Sequence, residues 1–247
     1  AAGLWSLTGP TPPGIAPRLV VASGNGMGFE SRSGAGTGAA MRLGRLGRYI
    51  RWNPVNPATE KTHLAVPSNG IFQKLGDRIV LCCWLNPTTY SIGGTFIPLF
   101  NTRSGPGNPI FYISLYQGRP RTMLYNAAGG LILDWTDTLS RPMVNNGWYF
   151  IASVIDLKNK TSQFLMCDRS DGNVWKGEKK PFTGTGIINP DCTADIVVGM
   201  LGNQYYYAGG IDDLFIDVAS TLDIDDLVWY FRRGLMANGG DTDGPVD

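Results

Sequence analysis

The feature that most constrains this chain is the spacing of its turns. From residue 41 onward, short apolar runs alternate with clusters of Gly, Asn, Asp and Pro. The runs are "MRLGR", "RYIRW", "DRIVLCCWLNP", "FIPLFN", "FYISLYQG", "RTMLYN", "GWYFIASVIDL", "SQFLMCD", "ADIVVGM" and "GIDDLFIDV". They are rich in β-branched and aromatic residues and are bounded by turn formers, so each reads as a strand. About ten short strands without helical periods between them predict an all-β sandwich or barrel. One segment breaks the pattern. In "DIDDLVWYFRRG", Asp223 caps a helix, Asp225 and Asp226 suit its positive end, and Arg232 and Arg233 suit its negative end. Gly234 is the expected stop, and Leu227, Tyr230 and Phe231 form an apolar face that must rest on a sheet.

All-β chains of 247 residues commonly fold as one unit. Three segments are expected: a Gly/Pro-rich N-terminal extension over 1–40, a β-sandwich over 41–236, and a polar C-terminal tail over 237–247. The run "RLVVAS" inside the extension can add a strand. Its "GAGTGA", Gly34 to Ala39, matches the dinucleotide-binding spacing, but no strand leads into it and no helix follows, so it reads as a loop. The 21 Lys and Arg nearly balance the 20 Asp and Glu, which leaves no global field to attract nucleic acid or an anionic membrane. No apolar stretch approaches the ~20 residues of a membrane helix, so a soluble protein is expected. The opening "AAGLWSL" shows no secretory signal, which leaves the compartment open. Adjacent Cys82 and Cys83 project to opposite faces of a strand, and with Cys167 and Cys192 they are expected to be free, buried thiols.

The order of five segments resembles the laminin G-like branch of the concanavalin A-like lectin and glucanase superfamily. "MRLGRLGRYIRW" is similar to that family's first hairpin, with Tyr49-Ile50 in its Tyr-Val position. "DRIVLCCWLNP" is similar to its Trp-apolar-x-Pro strand through Trp84, Leu85 and Pro87, and "FYISLYQGRPRTMLYN" to the hairpin that follows. Trp148, Tyr149 and Ala152 match its Gly-x-Trp-Tyr-x-x-Ala strand, and "YAGGIDDLFIDVASTLDIDDLVWYFRRG" its closing strand and short helix. The likeness covers about residues 40 to 235. It implies an antiparallel two-sheet jelly-roll β-sandwich with one short C-terminal helix, displayed on extracellular, cell-surface or virion proteins of phage and cells, where it binds sugars or proteins. Fold alone does not fix function.

Catalysis finds little support. Retaining glucanases of the superfamily carry Glu-x-Asp-x-Glu on one strand, whereas this chain has only Glu30, Glu60 and Glu178, none in that pattern. The one histidine, His63, is placed in a loop, and no other residue can serve as base to a nucleophilic Ser or Cys. One His and four scattered Cys do not make a zinc set. The expectation is therefore no catalytic residue, no metal ligand set and no cofactor, with a structural calcium as the metal the chain could accommodate. Its loops would be "DRSDGN" (168–173) and "NPDCTAD" (189–195), which are also ordinary turn sequences.

In "GGIDDLFIDV", alternation places Asp212 with Leu214, Ile216 and Val218, and Asp213 and Asp217 with Ile211 and Phe215. The three acids then do not converge, and Asp212 is expected to anchor a loop at the rim. Ligand contacts are expected at Tyr205 and Tyr206 in "NQYYYAGG", at Trp135 and Trp175 in turn-rich surroundings, and at Arg45 and Arg48 of the arginine-bearing hairpin. Aromatic faces stack on sugar rings, and guanidinium pairs bidentately with acidic groups. The expected function is a non-catalytic recognition or adhesion module whose partner is a glycan or cell-surface polysaccharide. The alternatives are a structural attachment domain that binds other virion or surface proteins, as a homo-oligomer or otherwise, and a polysaccharide hydrolase or lyase.

Overall fold

In the computed structural model the backbone is described for residues 20–21, 30–32, 40–44, 47–52, 63–66, 72, 75–89, 96–102, 110–138, 140–184, 192, 194–201 and 205–237; side chains are described for these except residues 20–66, 88, 89, 96, 200, 201, 205, 206, 212, 213 and 233–237. The strands are β1 (Val20–Val21), β2 (Glu30–Arg32), β3 (Ala40–Gly44), β4 (Gly47–Trp52), β5 (His63–Val66), β6 (Arg78–Thr89), β7 (Phe96–Asn101), β8 (Phe111–Tyr116) and β9 (Arg119–Tyr125). They continue with β10 (Leu131–Thr136), β11 (Tyr149–Asp156), β12 (Thr161–Asp168), β13 (Val174–Lys176), β14 (Lys180–Pro181), β15 (Ile196–Val198), β16 (Met200–Leu201), β17 (Tyr205–Tyr206) and β18 (Ala208–Asp217), before the helix α1 (Ile224–Ala237).

The larger sheet runs β13-β12-β11-β6-β18-β4-β3, with β14 on β12 and β1 on β18; the second runs β10-β9-β8-β7-β15-β5-β2, and β16 and β17 make a small ribbon. Every pairing among the described residues is antiparallel except β1 with β18. The predicted two-sheet sandwich is thus observed.

Alternation explains how the core is shared. Ile79, Leu81, Cys83 and Leu85 of β6 face the second sheet, where they meet residues such as Phe111, Ile113 and Leu115 of β8. Val80, Cys82 and Trp84 point the other way, beneath Ile224, Leu227, Val228 and Phe231 of α1. The larger sheet is therefore buried on both faces, which is why all eight residues of β11 are buried. Each fully buried side chain of this kind contributes roughly 1.5 to 3 kcal/mol. Cys82 and Cys83 do lie in different clusters, and all four cysteines are free and buried. Burial pushes the Cys167 thiol up to about 12, so it carries no thiolate at neutral pH.

The cap at Asp223 forms as the sequence predicts. Its Oδ1 accepts from the Asp225 and Asp226 amides at 2.8 and 3.1 Å, and Asp226 Oδ2 accepts from the Asp223 amide at 2.9 Å. Gly234, however, does not stop the helix, which runs on to Ala237. One interior glycine costs only about 1 kcal/mol relative to alanine, and the Leu, Met and Ala that follow are good helix formers.

Three other expectations change. His63 opens strand β5, which pairs with β2 and β15. "LILDWT" forms β10, a strand whose apolar run is interrupted by Asp134. Finally, β18 carries a bulge between Asp212 and Phe215, where three residue steps oppose only two on β6, Trp84 to Cys82. The extra residue shifts the alternation, so Ile211 joins Leu214, Ile216 and Val218 in the inner cluster while Phe215 faces α1. The grouping of Asp212 with Leu214 is thereby corrected, and Asp212 stands opposite Trp84 in register. Its side chain lies outside the described residues. At Gly209 the backbone adopts a φ of +141°, and a Cβ there would collide with the Asn86 carbonyl oxygen, so only glycine lets β18 approach β6 this closely.

Candidate functional site

Two of the expected ligand residues lie on edge strands, Trp135 on β10 of the second sheet and Trp175 on β13 of the larger one, and both pack against the inner core. Trp135 of β10 is half-buried and stacks on Phe164 of β12, ring centroids 5.2 Å apart and planes 28° apart. Trp175 of β13 stands opposite Met166, two residues along β12 from Phe164, and also packs on the inner core. The Arg141 guanidinium lies over the Trp175 ring, 5.1 Å from its centroid. Arg141 also pairs with Asp168 and, at 2.9 Å, with Asp171, and the hydrogen bond it donates to Asp168 is the main cause that holds its pKa above the ordinary arginine value.

This arrangement fills the loop 168–173. Asp168 Oδ1 accepts from the Ser170 amide at 2.7 Å and the Ser170 hydroxyl at 2.6 Å. Asp171 Oδ1 accepts from the Asn173 amide at 2.9 Å, which together with Asn173 Nδ2 and Arg141 holds its carboxyl below the usual range. A guanidinium thus occupies the carboxylate oxygens that a calcium would need. Most of the second loop, 189–195, lies outside the described residues. So do Arg45 and the side chains of Arg48, Tyr205 and Tyr206; the backbone of Arg48 is in β4, and Tyr205 and Tyr206 form β17. Their neighbour Tyr207 is buried, its hydroxyl donating to the Gly210 carbonyl at 2.8 Å. The described loop anchor in this region is Asp217, which accepts from the Ala219 amide at 2.8 Å and whose pKa burial raises.

A surface that composition and motif did not disclose lies on the outer face of the second sheet. The hairpin β8–β9 closes through Gln117 and Gly118, with φ of 50° and 71°, the positive pair that a two-residue turn requires. That turn fixes the register, placing Ser114 opposite Arg121 and Tyr116 opposite Arg119. Residues 111, 113 and 115 enter the core, so Tyr112, Ser114 and Tyr116 face outward with Arg121, Met123 and Tyr125. Tyr112 and Tyr125 meet edge to face at 5.1 Å, and the Arg121 guanidinium lies over Tyr116 at 5.2 Å. From β10, Asp134 closes a two-pronged pair with Arg121 at 2.8 and 2.7 Å; its hydrogen bond raises the Arg121 pKa. Tyr112 and Ser114 are buried on this face, which therefore presents the half-buried rings of Tyr116 and Tyr125 with a fixed, partly exposed donor and acceptor pair. The signal available in the sequence was the period of two: Trp135 was visible by type, whereas its outward neighbour Asp134 needed the register.

Among the described residues no group of three or more His, Cys, Asp or Glu converges on a metal-sized site. No helix of the described residues is long and apolar enough to cross a membrane.

The architecture is shared with known toxin domains. The binding domain of Paraclostridial mosquitocidal protein 1 superposes with a TM-score of 0.62 at 17% identity, the match covering 94% of this chain and 52% of that one. The receptor-binding domain of the botulinum neurotoxin C/D mosaic serotype gives 0.60 at 11% identity, over 94% and 51%. The binding domain of botulinum neurotoxin DC in complex with SialylT gives 0.59 at 11% identity, again over 94% and 51%. This chain spans about half the length of these solved domains. At such identities the likeness establishes a shared β-sandwich fold. No protein-family model and no curated protein sequence matches the chain.

Proposed function

We propose that this chain is a non-catalytic recognition module of an extracellular, cell-surface or virion protein, and that it binds carbohydrate on the outer face of the second sheet. The observation that carries the reading is the pairing of Arg121 with Asp134 beside Tyr116 and Tyr125. Tyrosine rings provide an apolar patch for the C–H face of a sugar, and a fixed guanidinium–carboxylate pair can donate to one hydroxyl and accept from its neighbour. The shared fold of toxin receptor-binding domains supports it, as does the complex of one such neighbour with SialylT. Trp135 and Trp175 belong to the same reading as rim contacts, although Phe164 and Arg141 already cover one face of each indole. Arg45, Arg48, Tyr205 and Tyr206 remain ligand candidates on their residue type.

A glycan array followed by titration calorimetry on the best ligand tests this directly. Arg121→Ala and Tyr116→Ala are expected to weaken binding at least ten-fold with circular dichroism unchanged. A chain that binds no glycan, or one whose affinity survives both substitutions, defeats the sheet-face reading.

A further inference from the structure

The opposite side of the molecule holds a second set of groups suited to a ligand. Helix α1 packs over β11 and β12 and leaves the edge strand β13 beside it. Along that junction lie two cavities of about 280 and 540 Å³, with Lys176 and Asp225 in the walls of both. Trp229 lines the larger one and is 59% exposed, whereas the other described tryptophans are buried or half-buried. Asp225, Trp229 and Arg232 stand at i, i+4 and i+7, one stripe of the helix facing Val174 and Lys176.

The charges of this cleft do not cancel. Asp225 is paired with Lys176, and Asp156 with Arg78 at 3.1 Å and Asn159 at 2.7 and 2.9 Å. Asp223 is committed to the first amides of α1. Lys179, in the smaller cavity, and Arg232, in the larger, have no carboxylate partner among the described residues. Arg232 therefore stands beside the exposed indole in the larger cavity, and Lys179 lies with Gln163 and Asn159 in the smaller one, beyond the shared Lys176 and Asp225. We infer that this cleft binds an acidic oligosaccharide, with one sugar ring against Trp229 and its carboxylate or sulfate groups on Arg232 and Lys179. An indole supplies the apolar platform, guanidinium and ammonium supply the charge, and two adjoining cavities that share Lys176 and Asp225 suit a chain of sugars better than a single ring. This site is independent of the sheet-face reading.

The test uses the full chain and three probes: an oligogalacturonate hexamer, its fully methyl-esterified counterpart, and a heparin-derived hexasaccharide. The expected result is that at least one acidic probe binds, that its affinity falls at least ten-fold with Trp229→Ala and several-fold with Arg232→Gln, and that the neutral ester binds at least ten-fold more weakly. Added salt should weaken the acidic probe and not the neutral one. Both substituted residues are exposed, so an unchanged Tm shows that a loss is not unfolding. An acidic probe that binds with affinity unaltered by Trp229→Ala and Arg232→Gln overturns the inference, and so does the failure of both acidic probes. In either case loss of glycan binding in Arg121→Ala leaves the sheet-face site standing. A Trp229→Ala variant that changes self-association instead of sugar binding also overturns it, in favour of a protein interface.

Discussion

Trp175 and Lys176 are chain neighbours on β13, yet they serve opposite sides of the larger sheet. Trp175 turns toward the rim of the core, where Arg141 covers its ring and is itself held by Asp168 and Asp171. Lys176 turns outward into the cleft beside α1, where Trp229 stands exposed and Arg232 has no carboxylate partner among the described residues. The two regions use the same residue types, tryptophan, arginine and aspartate. At the rim these groups satisfy one another and the arrangement holds the edges of the sheets together. In the cleft the cations outnumber the carboxylates that face them. Residue type identifies a candidate, and the local balance of partners decides whether it is left to meet a ligand.

The sharpest way to break this comparison is to remove one tryptophan from each region. Trp135→Ala should cost about 3 kcal/mol, because it opens a void against Phe164; in a chain of this size that is of order 10 °C in Tm. Trp229→Ala should stay within about 0.5 kcal/mol of the parent. Equal losses in thermal unfolding would abolish the distinction between a structural rim and an open cleft. Arg141→Ala is expected to lower Tm by less than Trp135→Ala, since Asp168 keeps its bonds from Ser170. The analogous Arg232→Ala should leave Tm unmoved.

Acid titration sharpens the contrast from the other side. Burial pushes the Asp156 carboxyl up, but the bonds from Asn159 and Arg78 outweigh it and hold the carboxyl below its ordinary value. A carboxyl depressed in the folded state adds stability above the unfolded pKa, about 3.9 for Asp, and that stability is lost as pH falls through the folded value. Between pH 5 and pH 2, urea midpoints should therefore fall more steeply for the parent than for Asp156→Asn; parallel curves would show that Arg78 and Asn159 contribute nothing there. Smaller still, Lys176→Ala should change stability by under about 0.5 kcal/mol, because its pair with Asp225 is exposed. Calcium titrated to millimolar levels should not raise Tm through the loop 168–173, whose carboxylate oxygens already accept from Arg141, Ser170 and Asn173. A rise that disappears in Asp171→Asn would show that the ion displaces the guanidinium.

Much of the architecture was legible in the chain. The runs from "MRLGR" to "GIDDLFIDV" became strands, the four thiols are buried, and Asp223 caps the helix, because turn residues, period-two apolarity and capping act over a few neighbouring residues. Strand β10 was missed because Asp134 breaks its apolar run, and its reason for being there, Arg121 on the adjacent strand, is thirteen residues away. The candidate sites were legible only by type. Trp135 and Trp175 stood out, while Trp229 was hidden beside Leu227 and Phe231, although its place off the apolar stripe was a signal.

By itself, then, the sequence determined an all-β sandwich or barrel with one capped helix, since local periodicity and turn chemistry leave few other ways to bury these runs, and the family resemblance implied that the strands form two sheets. Only the tertiary structure decided which acids and aromatics are spent and which are exposed. The bulge in β18 reversed the alternation that grouped Asp212 with Leu214, and Arg141 reached across 27 residues to close on Asp168. Both depend on pairing between distant segments, where one added residue or one distant cation changes which side chain meets water.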